Sequence, residues 1–301
     1  MKYTLEPYNG IKTRYKCPQC KNKQTFTRYI DIETNNYIDE SVGRCNKENS
    51  CNYHKSPKKF FSENKLNIIC TPYFKKDQHQ NSKPDYINEK VLLSSLKDYD
   101  ANNFVSFLNK CFEKDVVQNL IEKYYIGTSD YWKGSTIFWQ IDEVNKIRTG
   151  KVMLYDPLIG KRVKKPINKI HWIHSILKID EYNLKQTFFG MHLTKETTKT
   201  IAIVESEKTA IICSVFFPDY IWLATGGLNN LKAENMKPLK NRNVVLFPDI
   251  GAFEKWNHIA KEFSTFCNIK VSNTLEIKAK QTNTENGYDL ADYLLQDFNY
   301  I

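Results

Sequence analysis

Ile201-Ala202-Ile203-Val204-Glu205-Ser206-Glu207-Lys208-Thr209-Ala210 decides the fold class. Four consecutive apolar residues cut off by an acid predict a strand buried on both faces, because a strand with one wet face would alternate. The next residues, Glu207 to Val215, predict a helix that packs one face through Ala210, Ile211 and Val215. Strand followed by helix implies a βαβ unit and a parallel sheet, with Glu205 at the C-terminal end of its strand. In open α/β sheets that edge is where ligands bind. Val244-Val245-Leu246-Phe247-Pro248 repeats the buried-strand pattern and ends in Asp249, so two strands each deliver one acid to the same edge. A lone acid there is most simply a residue favoured by a helix dipole. The pair, with a third acidic cluster at Asp289 and Asp292, points instead to a metal site.

Working outward, the segment Phe253 to Phe263 predicts a second helix that packs through Trp256, Ile259 and Phe263. Gly226-Gly227, after the strand-like Tyr220 to Ala224, fits a tight turn that brings backbone close to a phosphate, though a double glycine specifies little by itself. Upstream, Val91, Leu92, Phe104, Phe107, Leu108, Val116, Leu120 and Ile121 recur at helical spacing, with a cap expected in Asp100-Ala-Asn-Asn103. Ser135 to Ile141 and Ile147 to Tyr155 read as strands. His171, Trp172 and His174 at period two predict a half-buried edge strand with satisfied histidines rather than a catalytic group.

Four of the eight cysteines crowd the first 51 residues, as Cys17-Pro-Gln-Cys20 and Cys45-Asn-Lys-Glu-Asn-Ser-Cys51. Two tight knuckles can bring four thiolates around one tetrahedral Zn2+, and paired spacing is not what scattered core cysteines show. The expected ligands are Cys17, Cys20, Cys45 and Cys51, with His54 as the substitute for Cys51. Cys70, Cys111, Cys213 and Cys267 lie singly in apolar surroundings and read as core residues. Thr25 to Asp31 alternates like a ribbon strand, and Arg14, Tyr15, Arg28, Tyr29 and Arg44 interleave cations with aromatics. That mixture suits base stacking and phosphate contact, or equally the small core of the ribbon.

The 301 residues, 41% apolar, can bury a sizeable core and predict two or three domains. No segment is long and apolar enough for a membrane span or a signal peptide, which places the protein in the cytoplasm with no membrane partner. The net charge of +10 suits a polyanion. More informative is its placement: Lys151, Lys161, Arg162, Lys164, Lys165 and Lys169 face only Asp156 within residues 151–169. The expected organisation is a zinc ribbon over 1–70, a linker over 71–88, a basic α+β subdomain over 89–196 and a parallel α/β unit over 197–301.

In this order, strand with Glu205, helix, strand, Thr225-Gly226-Gly227, strand with Asp249, then Gly-Tyr-Asp289-Leu-Ala-Asp292-Tyr-Leu resembles the Toprim domain of DnaG-type primases, topoisomerases and OLD-type nucleases. Val204-Glu205-Ser206-Glu207-Lys208-Thr209-Ala210 is closest to the form in phage and plasmid primases. Tyr124-Tyr125-Ile126-Gly127 and Arg148-Thr-Gly-Lys151 are similar, more loosely, to the N-terminal subdomain of DnaG-type cores. The resemblance implies a Rossmann-like parallel sheet and Mg2+ or Mn2+ on Glu205 and Asp249, with Asp289 or Asp292 as a third ligand. It also implies nucleoside triphosphates as substrates, and single-stranded DNA held by Arg28, Arg44, Arg148, Lys151, Lys161, Arg162, Lys164 and Lys165. No Gly-x-x-x-x-Gly-Lys-Ser/Thr loop is present, so a replicative helicase would come from another chain. One position departs from the family: Asp249-Ile250-Gly251 replaces its usual Asp-x-Asp. Either Asp289 or Asp292 completes the site, or metal binding is weakened; metal-dependent nuclease action and non-catalytic binding of single-stranded DNA are the rival readings. Glu207, two residues past Glu205, is expected to point elsewhere and to tolerate substitution by Gln.

Overall fold

A computed structural model describes residues 3–8, 10–32, 34–47, 50–64, 83–165, 168–179, 181–195, 197–282 and 288–297. The chain forms two compact units, Met1–Gln80 and Asn81–Ile301. The expected core position of Cys70 and most of the expected linker fall outside the described residues. No described helix is long and apolar enough to cross a membrane.

The first unit is a four-stranded antiparallel ribbon of β1 (Tyr3–Leu5), β2 (Phe26–Asp31), β3 (Gly43–Cys45) and β4 (His54–Lys55), followed by α1 (Pro57–Glu63). Its buried apolar cluster is Cys17, Phe26 and Cys45, flanked by Tyr15, Cys20, Cys51 and Tyr53. So small a core cannot offset the entropy of ordering the chain, and a fold of this kind depends on a cross-link.

The second unit opens with α2 (Glu89–Ser95), α3 (Asn103–Cys111) and α4 (Lys114–Tyr124). Asn102 caps α3 by accepting the Phe104 and Val105 N–H groups, within the segment where the sequence predicts a cap. An antiparallel sheet follows in the order β5 (Gly127–Ser129), β6 (Ser135–Ile141), β7 (Ile147–Met153), β8 (Ile170–Trp172). Every residue of β6 is buried, because both faces are covered. Phe138 packs with Phe104, Tyr155 and Phe189, while Ile137 and Trp139 pack with Ile87, Leu92 and Ile173. β8 stops at Trp172, and Ile173–Ile176 turn into the short helix α5. His174 therefore lies on that helix and not on the strand, with Nδ1 2.9 Å from Thr149 Oγ1 and its ring stacked on Tyr182.

The remaining elements are β9 (Ile201–Val204), α6 (Glu207–Phe216), β10 (Ile221–Ala224), α7 (Ala233–Met236), β11 (Asn243–Leu246), α8 (Phe253–Phe263), β12 (Asn268–Val271), α9 (Thr274–Thr282) and α10 (Leu290–Asp297). The four strands are all parallel, in the order β10-β9-β11-β12. All of β9 is buried, as its apolar run predicts: Ala202 and Val204 face one core, Ile201 and Ile203 the other. Helix α6 is not amphipathic as expected. Residues Glu207 to Ser214 are all buried, because α10 and α4 cover the sides that β10 leaves open. The core that holds Phe104 and Phe138 also holds Val204, Ala210 and Ile211, so residues 89–196 and 197–301 differ in sheet but share one hydrophobic interior.

Candidate functional site

In the ribbon, the first knuckle folds by Cys17 accepting the Lys21 N–H at 3.1 Å, with Lys21 in the left-handed region. The second folds by Cys51 and Asn52 donating to Lys47 O. The four Sγ atoms lie within 4.8 Å of one another, Cys17 to Cys51 at 3.6 Å and Cys20 to Cys45 at 3.9 Å. A tetrahedron with Zn–S bonds of about 2.3 Å has S–S edges of about 3.8 Å, so the set fits zinc. Burial pushes the Cys45 thiol up to about 12, while the Asn22 N–H holds Cys20 down to about 6. A dication relieves that conflict by ionising all four. His54 is not in the cluster: its Nε2 is 3.0 Å from Tyr29 Oη and the two rings stack. The fourth member of the cluster is Cys51.

The parallel sheet places the acids. Chain order runs outward from β9 to β10 on one side and resumes at β11 on the other, so the switch point lies between β9 and β11. A crevice opens outside strand ends at such a point. Glu205 follows β9 and Asp249 follows β11, which sets one carboxylate on each side of it. The Gly226 N–H donates to Glu205 O at 2.9 Å and the Phe247 N–H to Ile203 O at 2.8 Å, tying both neighbouring strand ends to β9. Gly226 is left-handed at φ 74°, and a Cβ there would sit 3.0 Å from Glu207 Oε1.

The carboxylates share a strong field. Burial, then the charges of Asp289, Glu205 and Asp292, pushes Asp249 up to about 9. Burial also raises Glu205, against a hydrogen bond from Leu228 N–H and the charges of Lys255 and Lys151. Among the described residues, nothing donates a hydrogen bond to the Asp249 carboxylate. Asp249 is half-buried, and a partly desolvated acid beside other carboxylates favours a proton or a cation. Two hard oxygen ligands at a switch point fit Mg2+ or Mn2+.

Asp289 and Asp292 are differently employed. Lys208 Nζ lies 2.8 Å from Asp292 Oδ1 and 3.9 Å from Asp289 Oδ2. Thr209 Oγ1 donates to Asp289 Oδ2 at 2.7 Å, the Asp292 N–H to Asp289 Oδ1, and the Asp289 N–H to Asp292 Oδ2. Among the described residues, the four cysteines are the only group of three or more Cys, His, Asp or Glu ligands within 4.8 Å of one another. The oxygens of Asp289 and Asp292, the expected third metal ligands, here accept from Lys208, Thr209 and backbone.

Residues 1–66 match the family of zinc beta-ribbon fingers, and residues 102–250 match a family described as a domain of unknown function (DUF6371). No curated protein matches the sequence. Among solved structures, the chain is similar to the RNA polymerase domain of Mycobacterium tuberculosis primase DnaG, at 9% identity over 69% of this chain and 80% of that one, with a TM-score of 0.45. The Aquifex aeolicus primase, in its zinc-binding and RNA polymerase domains, matches at 13% identity over 99% and 78%, with a TM-score of 0.43. The primase fragment of the bacteriophage T7 primase-helicase matches at 15% identity over 86% and 88%, with a TM-score of 0.36. At these identities and scores the similarity assigns no role to any residue of this chain.

The structure divides the expected phosphate-binding residues. Lys161, Lys164 and Lys165 are exposed, and Arg162 is half-buried with its Nε in no hydrogen bond. Arg44 is exposed on β3. Arg28 lies 4.0 Å over the Tyr15 ring, and Arg148 pairs with Asp142 at 2.7 Å. Lys151 does not belong to the basic track at all. Its register partner is Phe138, which puts it on the core-facing side of β7, where it is buried. There its Nζ lies 3.0 Å from Glu207 Oε1 and donates to Gly226 O at 2.8 Å. Glu207, expected to point elsewhere, is buried in an ion pair with Lys151.

Sequence reasoning missed Lys208, Thr209 and Glu276. Lys208 carried a signal, one turn after Glu205 at the start of a buried helix. Glu276 carried none: it reaches Gly251 from α9, accepting its N–H at 2.7 Å. Gly251 has φ 86°, a left-handed backbone that disfavours the aspartate usual in the family.

Proposed function

We propose that this chain is a DnaG-type primase-like protein that binds single-stranded DNA and nucleoside triphosphates and joins nucleotides by metal-dependent transfer. The observation that carries this reading is the placement of Glu205 and Asp249 on either side of the switch point, both half-buried and both raised by burial and neighbouring acids. Glu205 and Asp249 hold Mg2+ or Mn2+. When bound, the ion supplies positive charge that eases attack of a 3′-hydroxyl on an α-phosphate. The Thr225-Gly226-Gly227 turn, braced from behind by Lys151, presents backbone close to the crevice. Lys161, Arg162, Lys164 and Lys165 hold the single-stranded template, with Arg44 and the ribbon aromatics contributing a second contact surface. The ribbon itself is stabilised by zinc. Such a protein acts in the cytoplasm, in replication or transfer of a mobile element, with a helicase supplied by another chain.

A second reading, non-catalytic binding of single-stranded DNA, is favoured by Gly251 and by the ammonium already lodged against Asp292. Incubation with labelled nucleotides, Mg2+ or Mn2+ and a single-stranded circle separates the cases. A ladder of oligomers that disappears in Glu205→Gln and Asp249→Asn, with binding to the circle retained, is the expected result. A cut circle indicates the nuclease use of the same acids, and a band shift alone indicates the binding module.

A further inference from the structure

Four carboxylates, Glu205, Asp249, Asp289 and Asp292, gather at the ends of β9 and β11 and the start of α10, close enough that Asp289 raises the proton affinity of both Glu205 and Asp249. They are not equivalent. All four oxygens of Asp289 and Asp292 accept from protein donors, and the cationic donor is Lys208. Among the described residues no donor is bonded to the Asp249 carboxylate, and the Leu228 N–H is the protein donor that lowers Glu205. The division falls between the strand ends and the start of α10.

Lys208 cannot readily yield its place. Its side chain is 10% exposed, and it sits in the first turn of α6, where each residue from Glu207 to Ser214 is buried. A lysine that deep is retained only when paired, and withdrawing it would leave Asp292 and Asp289 as uncompensated buried charges. A metal ion competing for Asp292 must overcome that cost; one bound between Glu205 and Asp249 does not. The ammonium also sits where its field reaches Asp249, so it acts on the metal-binding pair without ligating anything.

Resting on the metal-dependent reading above, we propose that Lys208 takes the place of a second cation, so that the crevice binds a single divalent ion through Glu205 and Asp249 while Asp289 and Asp292 hold the lysine. Lys208 is thus a positioning residue that sets the number of ions. Lys151 does the same service for the neighbouring Glu207, which is thereby kept out of the ligand set.

The test is calorimetric titration of Mn2+ into the full-length, zinc-loaded protein, with ribbon zinc measured separately. One Mn2+ per chain is expected. Glu205→Gln and Asp249→Asn should each weaken it by more than about tenfold, whereas Asp292→Asn should hold the stoichiometry at one with affinity changed by less than about threefold. Lys208→Met, which removes the internal cation, should raise the stoichiometry to two; a thermal melt shows whether that variant folds, and the Asp292→Asn result stands without it. Two ions in the unmodified protein, or loss of the ion in Asp292→Asn as complete as in Glu205→Gln, overturns the assignment of Lys208 and leaves the metal-dependent reading in place. No Mn2+ bound at all overturns both.

Discussion

The zinc ribbon and the acidic crevice both gather four groups that repel one another when ionised, and they do so by opposite means. In the ribbon the four thiols approach within ion-binding distance and little else holds the unit together. In the crevice the carboxylates stay further apart, beside a large core that would fold without them, and one internal lysine is paired with two of the four. The ribbon is a site that makes its fold; the crevice is a fold that makes its site. Metal removal should therefore be felt as unfolding in the first and as loss of chemistry in the second.

The largest expected effect breaks the ribbon alone. Structural zinc in such modules supplies on the order of 10 kcal/mol of folding free energy. Cys45→Ser should lose stoichiometric zinc and disorder the ribbon, seen as collapse of its amide dispersion by NMR while the signals of residues 83–297 persist. Cys213→Ser, at a buried cysteine of the second unit, should keep its zinc. A ribbon that stays folded without zinc would erase the contrast.

Next in size is the ion pair behind the crevice. Lys151 and Glu207 are each almost wholly buried, so removing one partner strands the other. Lys151→Met should cost about 3–5 kcal/mol in urea unfolding of the second unit, and Lys151→Met with Glu207→Leu should recover much of it. Full stability in Lys151→Met would mean that the pair sits nearer water than its burial indicates.

A smaller effect concerns DNA. Neutralising Lys161, Arg162, Lys164 and Lys165 together should flatten the log–log salt dependence of single-strand binding by about 3, at roughly 0.7 for each phosphate no longer neutralised. An unchanged slope would move the binding surface to the ribbon.

The smallest effect sharpens the comparison through pH. Burial holds His171, His174 and His192 below the ordinary histidine value of 6.5, and His192 keeps a buried Nδ1 without a partner. A group whose folded pKa is depressed contributes stability that is present above its unfolded value and lost as pH falls below it. Against the opposite contribution of the raised Glu205 and Asp249, His192→Gln should gain in denaturation midpoint relative to the unmodified protein as pH falls from 7 towards 5.

Local pattern alone determined a good deal here. Ile201 to Val204 and Val244 to Leu246 are parallel strands because unbroken apolar runs are stable only where both faces are covered, and the acids after them must then lie at the strand ends. Paired cysteine spacing was enough to name the four thiols that cluster, since each knuckle is closed by hydrogen bonds within a few residues. What distance in the chain hides, only the tertiary structure decided. Lys151 reads as one cation of a basic run until its register with Phe138 turns it inward, because on a strand a side chain's face is set by pairing and not by composition. Asp289 and Asp292 read as ligands until α6 brings Lys208 and Thr209 to them across some eighty residues. Charges are visible in a sequence; which of them cancel depends on which are buried together, and that is settled by packing.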